Sequence, residues 1–180
     1  MVLAVTLDWE VDHLDVKTVF LNPTLNEEIY MEIPNGYDWL TGDNRIANKV
    51  LKLRKSLYGL KQAPREWYQD IDTYLTKNLQ FERSTEDSNL YQRNDCFLLL
   101  YVDDILIFSP KKRLDVKQSL MNKYKMTDLG PAQLFLGIQI VRNRAEKTIF
   151  LHQTRYIDTV LKRFGMEDVN DVYTPLPAHI

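Results

Sequence analysis

The clearest pattern in the chain is the run FLLLYVDDILIF at residues 97–108, where two short apolar segments flank two adjacent carboxylates. Both segments are rich in β-branched and aromatic residues and are apolar at odd and even positions alike, which is typical of strands buried on both faces. The sequence therefore predicts a β-hairpin in a core, with Asp103 and Asp104 at its tip. Because burying an unpaired carboxylate is costly, the tip is expected to contact water or a cation; a solvated turn of two aspartates is the simpler interpretation.

Other segments carry the hydrophobic periods of helices and strands. Helical spacing predicts helices at 62–79, 111–124 and 154–164, and the last should end at Gly165. Alternation and β-branched residues predict further strands, and a loop is expected at 34–48; the strands are 13–21, 49–53, 89–93, 134–141 and 148–152. This order predicts an α+β fold built on an antiparallel sheet, forming one domain or one large subdomain.

Two of these helices and the start of the chain carry more specific expectations. The aromatic residues of helix 62–79, including Trp67, are expected in the core rather than in a base-stacking surface. In helix 111–124, Val116, Leu120, Met121 and Tyr124 should face inward, and Lys112, Arg113 and Lys117 should face water. Residues 1–7 should be the tail of a core helix, and an apolar start without a capping residue suggests that an upstream segment has been removed.

Composition narrows the class of protein. With 44% hydrophobic and 27% charged residues, wholesale disorder is not expected. The net charge of −2 does not favour a chain that binds nucleic acid over its whole surface, so local patches matter more. One such patch spans residues 45–65 and has no Asp or Glu, although a solvated face is the alternative; its basic residues are Arg45, Lys49, Lys52, Arg54, Lys55, Lys61 and Arg65.

Two absences add to this description. The single cysteine, Cys96, has no internal partner for a disulfide, which fits a reducing, intracellular compartment. Residues 1–7 are too few to span a bilayer and lack the features of a signal peptide, so no membrane partner is expected. An exposed apolar start would instead favour self-association.

A third acid gives the Asp103–Asp104 pair a chemical interpretation. Asp15 is the only acid within the otherwise apolar strand pattern at 13–21. If the two strands are neighbours, three carboxylates meet and repel each other unless hard cations share them, and oxygen ligands suit Mg²⁺ or Mn²⁺. Two such ions support in-line phosphoryl transfer, so the residues point to nucleotidyl transfer.

The sequence also resembles a known family. The strings LDVKTVFLN, EEIYMEIPNGY, KLRKSLYGLKQAPREWY, LLLYVDDILI, MTDLGPAQLFLGIQI and RYIDTVLKRFGM are similar, in order and spacing, to the reverse transcriptase of copia-type LTR retrotransposons. The resemblance covers nearly all of residues 1–180. It implies the palm of a right-hand polymerase with partial fingers and the start of a thumb-like segment, without the N-terminal finger strands or an RNase H domain. It also implies RNA/DNA template-primer and deoxynucleoside triphosphates as partners, and a location in the cytoplasm, in retrotransposon particles or in the nucleus.

The resemblance carries over to particular residues. It implies that Asp15, Asp103 and Asp104 hold two catalytic Mg²⁺ or Mn²⁺ ions, and that Phe20 excludes a ribose 2′-hydroxyl. Residues that match the nucleotide-binding segment are Tyr58, Gly59 and Lys61, and residues that match primer contacts are Tyr101, Val102, Phe135, Leu136 and Gly137.

The chain departs from the family pattern at two places, Val19 and Pro23, where the family usually has alanine and glycine. Val19 adds bulk beside the expected sugar pocket, and Pro23 restricts the neighbouring turn. The missing fingers make activity of the isolated chain doubtful, because catalysis of this kind depends on positioning. Two alternatives therefore stay open: a truncated or host-retained, non-catalytic binding protein, and a module that only binds RNA.

Overall fold

The computed structural model describes residues 1–37, 49–110 and 114–170. They form two compact units, one of Trp9–Pro131 and the other of Met1–Asp8 with the residues from Ala132 onward. Most of the loop expected at 34–48 lies outside the described residues, as do Arg45, Lys112 and Arg113.

Helices and strands alternate irregularly along the described chain. In chain order they are α1 (Val2–Thr6), β1 (Glu10–Val16), a 3₁₀ turn (Val19–Leu21), β2 (Tyr30–Glu32), β3 (Val50–Lys52), α2 (Ala63–Thr73), a π-helical turn (Tyr74–Asn78), β4 (Glu82–Arg83), β5 (Leu90–Arg93), β6 (Cys96–Tyr101), β7 (Asp104–Ser109), α3 (Leu114–Lys123), β8 (Met126–Pro131), β9 (Leu134–Phe135), β10 (Ile138–Asn143), β11 (Thr148–His152) and α4 (Thr154–Phe164).

The larger unit is built on an antiparallel sheet with the strand order β4-β5-β6-β7-β1-β8. Helices α2 and α3 contribute to one hydrophobic core with this sheet, because their apolar stripes and alternate strand residues belong to the same buried cluster. Core residues with 0% exposure are Leu14, Ile71, Leu75, Tyr91, Cys96, Leu98, Ile105 and Leu120. The structure therefore agrees with the predicted mixed fold on antiparallel sheets.

Two buried tyrosines fasten helix α2 to its neighbours. The Tyr91 hydroxyl of β5 donates to Asp72 Oδ1 at 2.9 Å, and the Tyr124 hydroxyl donates to Asp70 Oδ2 at 3.0 Å. Burial raises the pKa of both phenols, and for Tyr124 the charge of Asp70 raises the pKa further. Both groups therefore stay protonated and remain hydrogen-bond donors at neutral pH.

The central hairpin and the last helix confirm their predictions. Strands β6 and β7 cover residues 96–101 and 104–109, and the residues of both strand faces are mostly buried or half-buried. Helix α4 begins at Thr154 and ends at Phe164, with Gly165 at φ 63° in the left-handed region where glycine is favoured. Val116, Leu120 and Tyr124 of the predicted inward face of helix 111–124 are buried, whereas Met121 is 36% exposed, so its predicted inward position is wrong.

The strand predicted at 13–21 is wrong beyond Val16. Thr18 has φ 48°, and a 3₁₀ turn follows at once. The Asn22 side-chain amide donates to the carbonyls of Thr18 and Val19, at 3.2 and 3.1 Å. These local hydrogen bonds replace the ladder that the β-branched residues predicted.

Three further expectations need correction. Lys117 does not face water, because its side chain is only 12% exposed and pairs with Asp12 and Asp128. The sequence missed edge strand β8, which contains Gly130 and Pro131 and pairs with β1; an edge position tolerates proline at the end of a strand. The segment at 134–141 is two short strands, with a turn at Leu136 and Gly137.

The smaller unit contains the sheet β11-β10-β9. Arg142 of β10 donates to the Ala4 carbonyl at 2.9 Å and pairs with Asp8, which ties the start of the chain to this sheet. Helix α1 confirms a helix near the start, but Ala4 is its only buried residue, so its prediction as a core helix is wrong.

Candidate functional site

The three predicted aspartates lie at one end of the larger sheet. Asp15 on β1 is directly opposite Asp104 on β7, and Asp104 also pairs with Tyr101 on β6. Val102 and Asp103 form the two-residue turn between β6 and β7. The Val16 amide donates to the Asp103 carbonyl at 2.8 Å, so β1 also holds this turn. Strand register therefore brings Asp15, Asp103 and Asp104 to the same place.

Two nitrogen-bearing side chains, from β1 and from the turn after it, contact these acids. Lys17 Nζ forms an ion pair with Asp15 Oδ2, and His13 Nε2 lies 2.7 Å from Asp104 Oδ1. His13 and Asp15 are two positions apart on β1, so both side chains lie on one face of the sheet. The side chains of Asp15 and Asp104 are 25% and 29% exposed, which places the acids between core and solvent.

The donor chemistry of this group fits a hard divalent cation, because all three acids offer oxygen ligands. Within residues 1–37, 49–110 and 114–170, no group of three or more acidic, histidine or cysteine side chains is already arranged around a metal position. Instead, the carboxylates of Asp15 and Asp104 contact Lys17 and His13. To share a cation, the carboxylates of Asp15 and Asp104 have to exchange those partners for it.

The turn that carries Asp103 has an unusual backbone. Val102 has φ 53°, a conformation that is a genuine outlier for a β-branched residue. Its carbonyl oxygen accepts a hydrogen bond from Trp67 Nε1 of α2 at 2.7 Å. The Trp67 side chain is buried at 2% exposure, which confirms its predicted core position.

Predicted nucleotide-binding residues lie beside the same turn. The rings of Phe20 and Tyr58 meet edge to face, with centroids 4.9 Å apart. A cavity of about 220 Å³ opens next to them; its lining residues are Phe20, Pro64, Trp67, Tyr68, Asn89, Leu100, Tyr101 and Val102. Gly59 follows Tyr58 at φ 94°, which requires glycine, and Lys61 is exposed.

The remaining predicted primer residues belong to the smaller unit. Phe135 is buried at 9% exposure, while Leu136 is 46% exposed at the turn between β9 and β10. Leu136 and Gly137 have φ values of 49° and 78°, so this turn is tightly bent. These three residues form one hairpin, and their contact with primer stays a prediction.

The two departures from the family pattern have structural roles. Val19 is 2% exposed and belongs to the main core cluster. Pro23 is buried, and its carbonyl accepts the Ser56 amide at 3.1 Å. Both residues therefore support the 3₁₀ turn and the segment that follows it.

The described members of the basic patch lie on the surface. Lys52 of β3 forms an ion pair with Glu28 and lies opposite Tyr30 of β2. Exposed basic residues of this stretch are Lys49, Lys52, Arg54, Lys55, Lys61 and Arg65. Acids outside the stretch therefore neutralise part of the patch, but most of its charge is available to a ligand.

Sequence reasoning missed three residues of this site: His13, Lys17 and Trp67. His13 and Lys17 flank Asp15 at a spacing of two, which is the period at which residues share one face of a strand. This spacing could have identified both residues from the sequence. Trp67 had no such signal, because its contact with Val102 depends on how α2 packs against the sheet.

A mixed α/β domain with antiparallel sheets and aspartates at one sheet end is consistent with a polymerase of the reverse transcriptase class. The chain belongs to the reverse transcriptase family: the family model described as Reverse transcriptase (RNA-dependent DNA polymerase) matches residues 1–178. This confirms the resemblance to copia-type retrotransposons, because the similar proteins are Pol polyproteins of such transposons.

Individual relatives show how much of a Pol polyprotein the chain represents. It is 45% identical to the Retrovirus-related Pol polyprotein from transposon TNT 1-94 of Nicotiana tabacum, over 99% of this chain and 14% of that protein. It is 38% identical to the Retrovirus-related Pol polyprotein from transposon RE1 of Arabidopsis thaliana, over 98% of this chain and 12% of that protein. A putative transposon Ty5-1 protein of Saccharomyces cerevisiae is 38% identical over 71% of this chain and 42% of its own length.

The chain thus spans about one seventh of the length of the tobacco protein.

In the part of the chain that the structure describes, no helix is long and apolar enough to cross a membrane.

Proposed function

We propose that this chain carries the palm and partial fingers of an RNA-directed DNA polymerase that extends a primer by two-metal nucleotidyl transfer. The observation that carries the proposal is the register of β1 and β7, which sets Asp15 opposite Asp104 and next to Asp103. Membership of the reverse transcriptase family supports the same chemistry.

In this proposal, Asp15, Asp103 and Asp104 hold Mg²⁺ or Mn²⁺. When bound, divalent cations at these carboxylates supply the charge stabilisation that in-line phosphoryl transfer requires. The three acids would hold these ions at the end of the sheet where β1 and β7 meet. Lys17 is exposed at 49% of its side chain, so it is free to leave Asp15 and to contact the phosphates of a deoxynucleoside triphosphate.

Phe20, Tyr58, Gly59 and Lys61 form the proposed nucleotide side of the site. The contact between the Phe20 and Tyr58 rings supports this, because it joins the residue proposed to exclude a 2′-hydroxyl to the proposed nucleotide-binding segment. Phe20 also lines the cavity beside the turn, which supports its proposed role in excluding a 2′-hydroxyl. Lys61 adds an exposed positive charge for a phosphate.

Tyr101, Val102, Phe135, Leu136 and Gly137 are the proposed primer contacts. Tyr101 and Val102 are 51% and 43% exposed at the end of the β6-β7 hairpin, so they are accessible to a primer terminus. We also propose that the chain acts inside the cell, in the cytoplasm and in retrotransposon particles.

One observation favours a second function, in which the chain binds nucleic acid without catalysis. In the described part of the chain, the acids are paired with Lys17 and His13 rather than grouped around a metal position, while the basic residues of 49–65 are exposed. A host-retained protein that uses only this basic surface would not need the aspartates.

Primer extension separates the two functions. The assay uses an annealed RNA template and DNA primer with Mg²⁺ or Mn²⁺, and compares the wild-type chain with Asp103→Asn and with Asp158→Asn, a matched charge change on the exposed surface of α4. Extension by the wild type and by Asp158→Asn, but not by Asp103→Asn, is the expected result. Template binding without extension by the wild type, with either metal, would contradict the polymerase proposal for this chain.

Self-association is a separate expectation for the smaller unit. Val2, Leu3 and Leu7 are 79%, 52% and 51% exposed at the start of the chain. Sedimentation at micromolar concentration should show dimers or larger species, and a monomeric profile would contradict this expectation.

A further inference from the structure

A hydrogen bond joins Trp67 of α2 to the turn at Val102. A buried indole N–H needs an acceptor, but many carbonyls can serve. In this chain the acceptor is the Val102 carbonyl, at 2.7 Å, in the turn that carries Asp103. The bond therefore joins the most buried aromatic side chain of α2 to the proposed catalytic residues.

The turn needs such support. Val102 is β-branched and has φ 53°, and backbone of this kind persists only where the surrounding structure holds it. The Val102 side chain is 43% exposed, so its own burial contributes little. Besides the pairing of β6 with β7, other elements of the described chain donate to the turn: Trp67 to the Val102 carbonyl, and the Val16 amide to the Asp103 carbonyl.

Trp67 is itself firmly placed. Its ring meets Tyr124 edge to face, with centroids 5.2 Å apart and an interplanar angle of 78°. The Tyr124 hydroxyl is bonded to Asp70, one turn further along α2 than Trp67. Because Trp67 is buried and packs against a ring that is itself hydrogen-bonded to α2, it can fix the carbonyl that it contacts.

We propose that Trp67 is a positioning residue for the polymerase site: its indole N–H fixes the Val102 turn and thereby sets the positions of Asp103 and Asp104. The link to cation binding rests on the proposed function. In this role Trp67 acts through the backbone, because it donates to the Val102 carbonyl rather than to an aspartate side chain.

Trp67→Phe tests the proposal, because phenylalanine keeps an aromatic ring and lacks the N–H donor. Tyr74→Phe is the matched control. It removes a hydroxyl that also donates to a backbone carbonyl, that of Ser119 at 3.0 Å, and Tyr74 belongs to the same aromatic group as Tyr124. The control therefore loses a similar bond in the same core without touching the turn.

The main measurement is amide hydrogen exchange over residues 97–108 of the whole chain, with urea denaturation to match global stability. Trp67→Phe should speed exchange at the turn about tenfold or more, while Tyr74→Phe leaves it unchanged. The second measurement is Mn²⁺ affinity by electron paramagnetic resonance. The affinity should fall about tenfold to a hundredfold in Trp67→Phe only, since a small misplacement of ligands has a large effect.

The outcomes separate this inference from the proposed function. Equal exchange at the turn in both variants would overturn the role of Trp67. Faster exchange with unchanged Mn²⁺ affinity would overturn its link to the aspartates. If the wild type binds Mn²⁺ no better than Asp103→Asn, the two-metal proposal fails, and the exchange data still decide whether Trp67 fixes the turn.

Discussion

Asp15→Asn should make the chain more stable when no divalent cation is present. Asp15 and Asp104 are directly opposite each other on β1 and β7. Side chains in such a pair start about 5 Å apart. Two like unit charges at that distance would repel by about 1 kcal/mol in water and about 3 kcal/mol at the effective dielectric constant of a protein surface, and these are upper values because His13 Nε2 contacts Asp104 Oδ1.

The substitution also loses a favourable contact, the ion pair between Asp15 and Lys17. The Lys17 side chain is 49% exposed, and exposed pairs contribute about 0.2–1 kcal/mol. The repulsion outweighs this loss, so we expect a net gain of about 0.5–2 kcal/mol. For a chain of this size the gain corresponds to a rise of about 1–8 °C in Tm.

Thermal unfolding by circular dichroism, with and without Mn²⁺, measures both the gain in stability of Asp15→Asn and the stabilisation by the cation. At ten times its Kd, Mn²⁺ should stabilise the wild type by about 1.4 kcal/mol and Asp15→Asn by much less. At 1 M KCl the gain of Asp15→Asn over the wild type should shrink, because salt screens the repulsion. Asp158→Asn should change neither quantity.

A lower Tm for Asp15→Asn without cation would refute the reasoning, because it would mean that Asp15 is a structural acid held by Lys17. An equal Mn²⁺ shift in the variant and the wild type would refute the assignment of Asp15 as a ligand.

Two further predictions concern the framework around the site. Tyr91→Phe should lower the free energy of unfolding by about 1–3 kcal/mol, because it removes a buried hydrogen bond to the Asp72 carboxylate; urea denaturation measures the loss, and an unchanged midpoint would contradict it. Burial alone would raise the pKa of Asp128, but hydrogen bonds from Lys117 and the Gly130 amide hold it below its usual value. Asp128 therefore stabilises the fold above about pH 4, the usual pKa of a free aspartate, and this contribution disappears as the pH falls through the lower folded-state pKa. Urea midpoints from pH 2 to 7 should show a flatter acid limb for Asp128→Asn, and parallel profiles would contradict this.

The central hairpin was predictable because its signal is local. The segments at 97–101 and 105–108 are apolar on both faces, and a two-residue turn is enough to join them. Helix α4 was equally clear, since its apolar residues repeat at helical spacing up to Gly165. In both cases the hydrophobic pattern and the turn chemistry agree.

The errors occur where side chains compete with the hydrophobic pattern. Residues 17–21 have strand propensity, but the Asn22 amide bonds the Thr18 and Val19 carbonyls and favours a 3₁₀ turn. Lys117 lies on the polar side of α3 by its spacing, yet Asp12 and Asp128 of the sheet draw it inward. Neither acid is near Lys117 in sequence, so only the folded chain reveals the pairing.

Some residues of the candidate site could likewise be predicted from the sequence, and others could not. Asp15, Asp103 and Asp104 could be selected from the sequence, because an acid in an apolar strand has an energetic cost that needs a reason. The contact of Trp67 with Val102 depends on how α2 crosses the sheet, and no spacing along the chain encodes it. The three acids could therefore be selected from the chemistry of the sequence, whereas the Trp67 contact that holds their turn could not.

The energetics of the sheet end argue against a protein that only binds nucleic acid. Asp15 faces Asp104 at a cost in repulsion, and Val102 adopts a backbone conformation that its side chain disfavours. A surface that only binds phosphates gains nothing from these features, since carboxylates repel a nucleic-acid backbone. Divalent cations bound to the aspartates would relieve the repulsion between these carboxylates. They would also attract the phosphates that the carboxylates alone repel. Unfavourable charge and backbone geometry at one place therefore favour the proposed cation site over a surface that only binds nucleic acid.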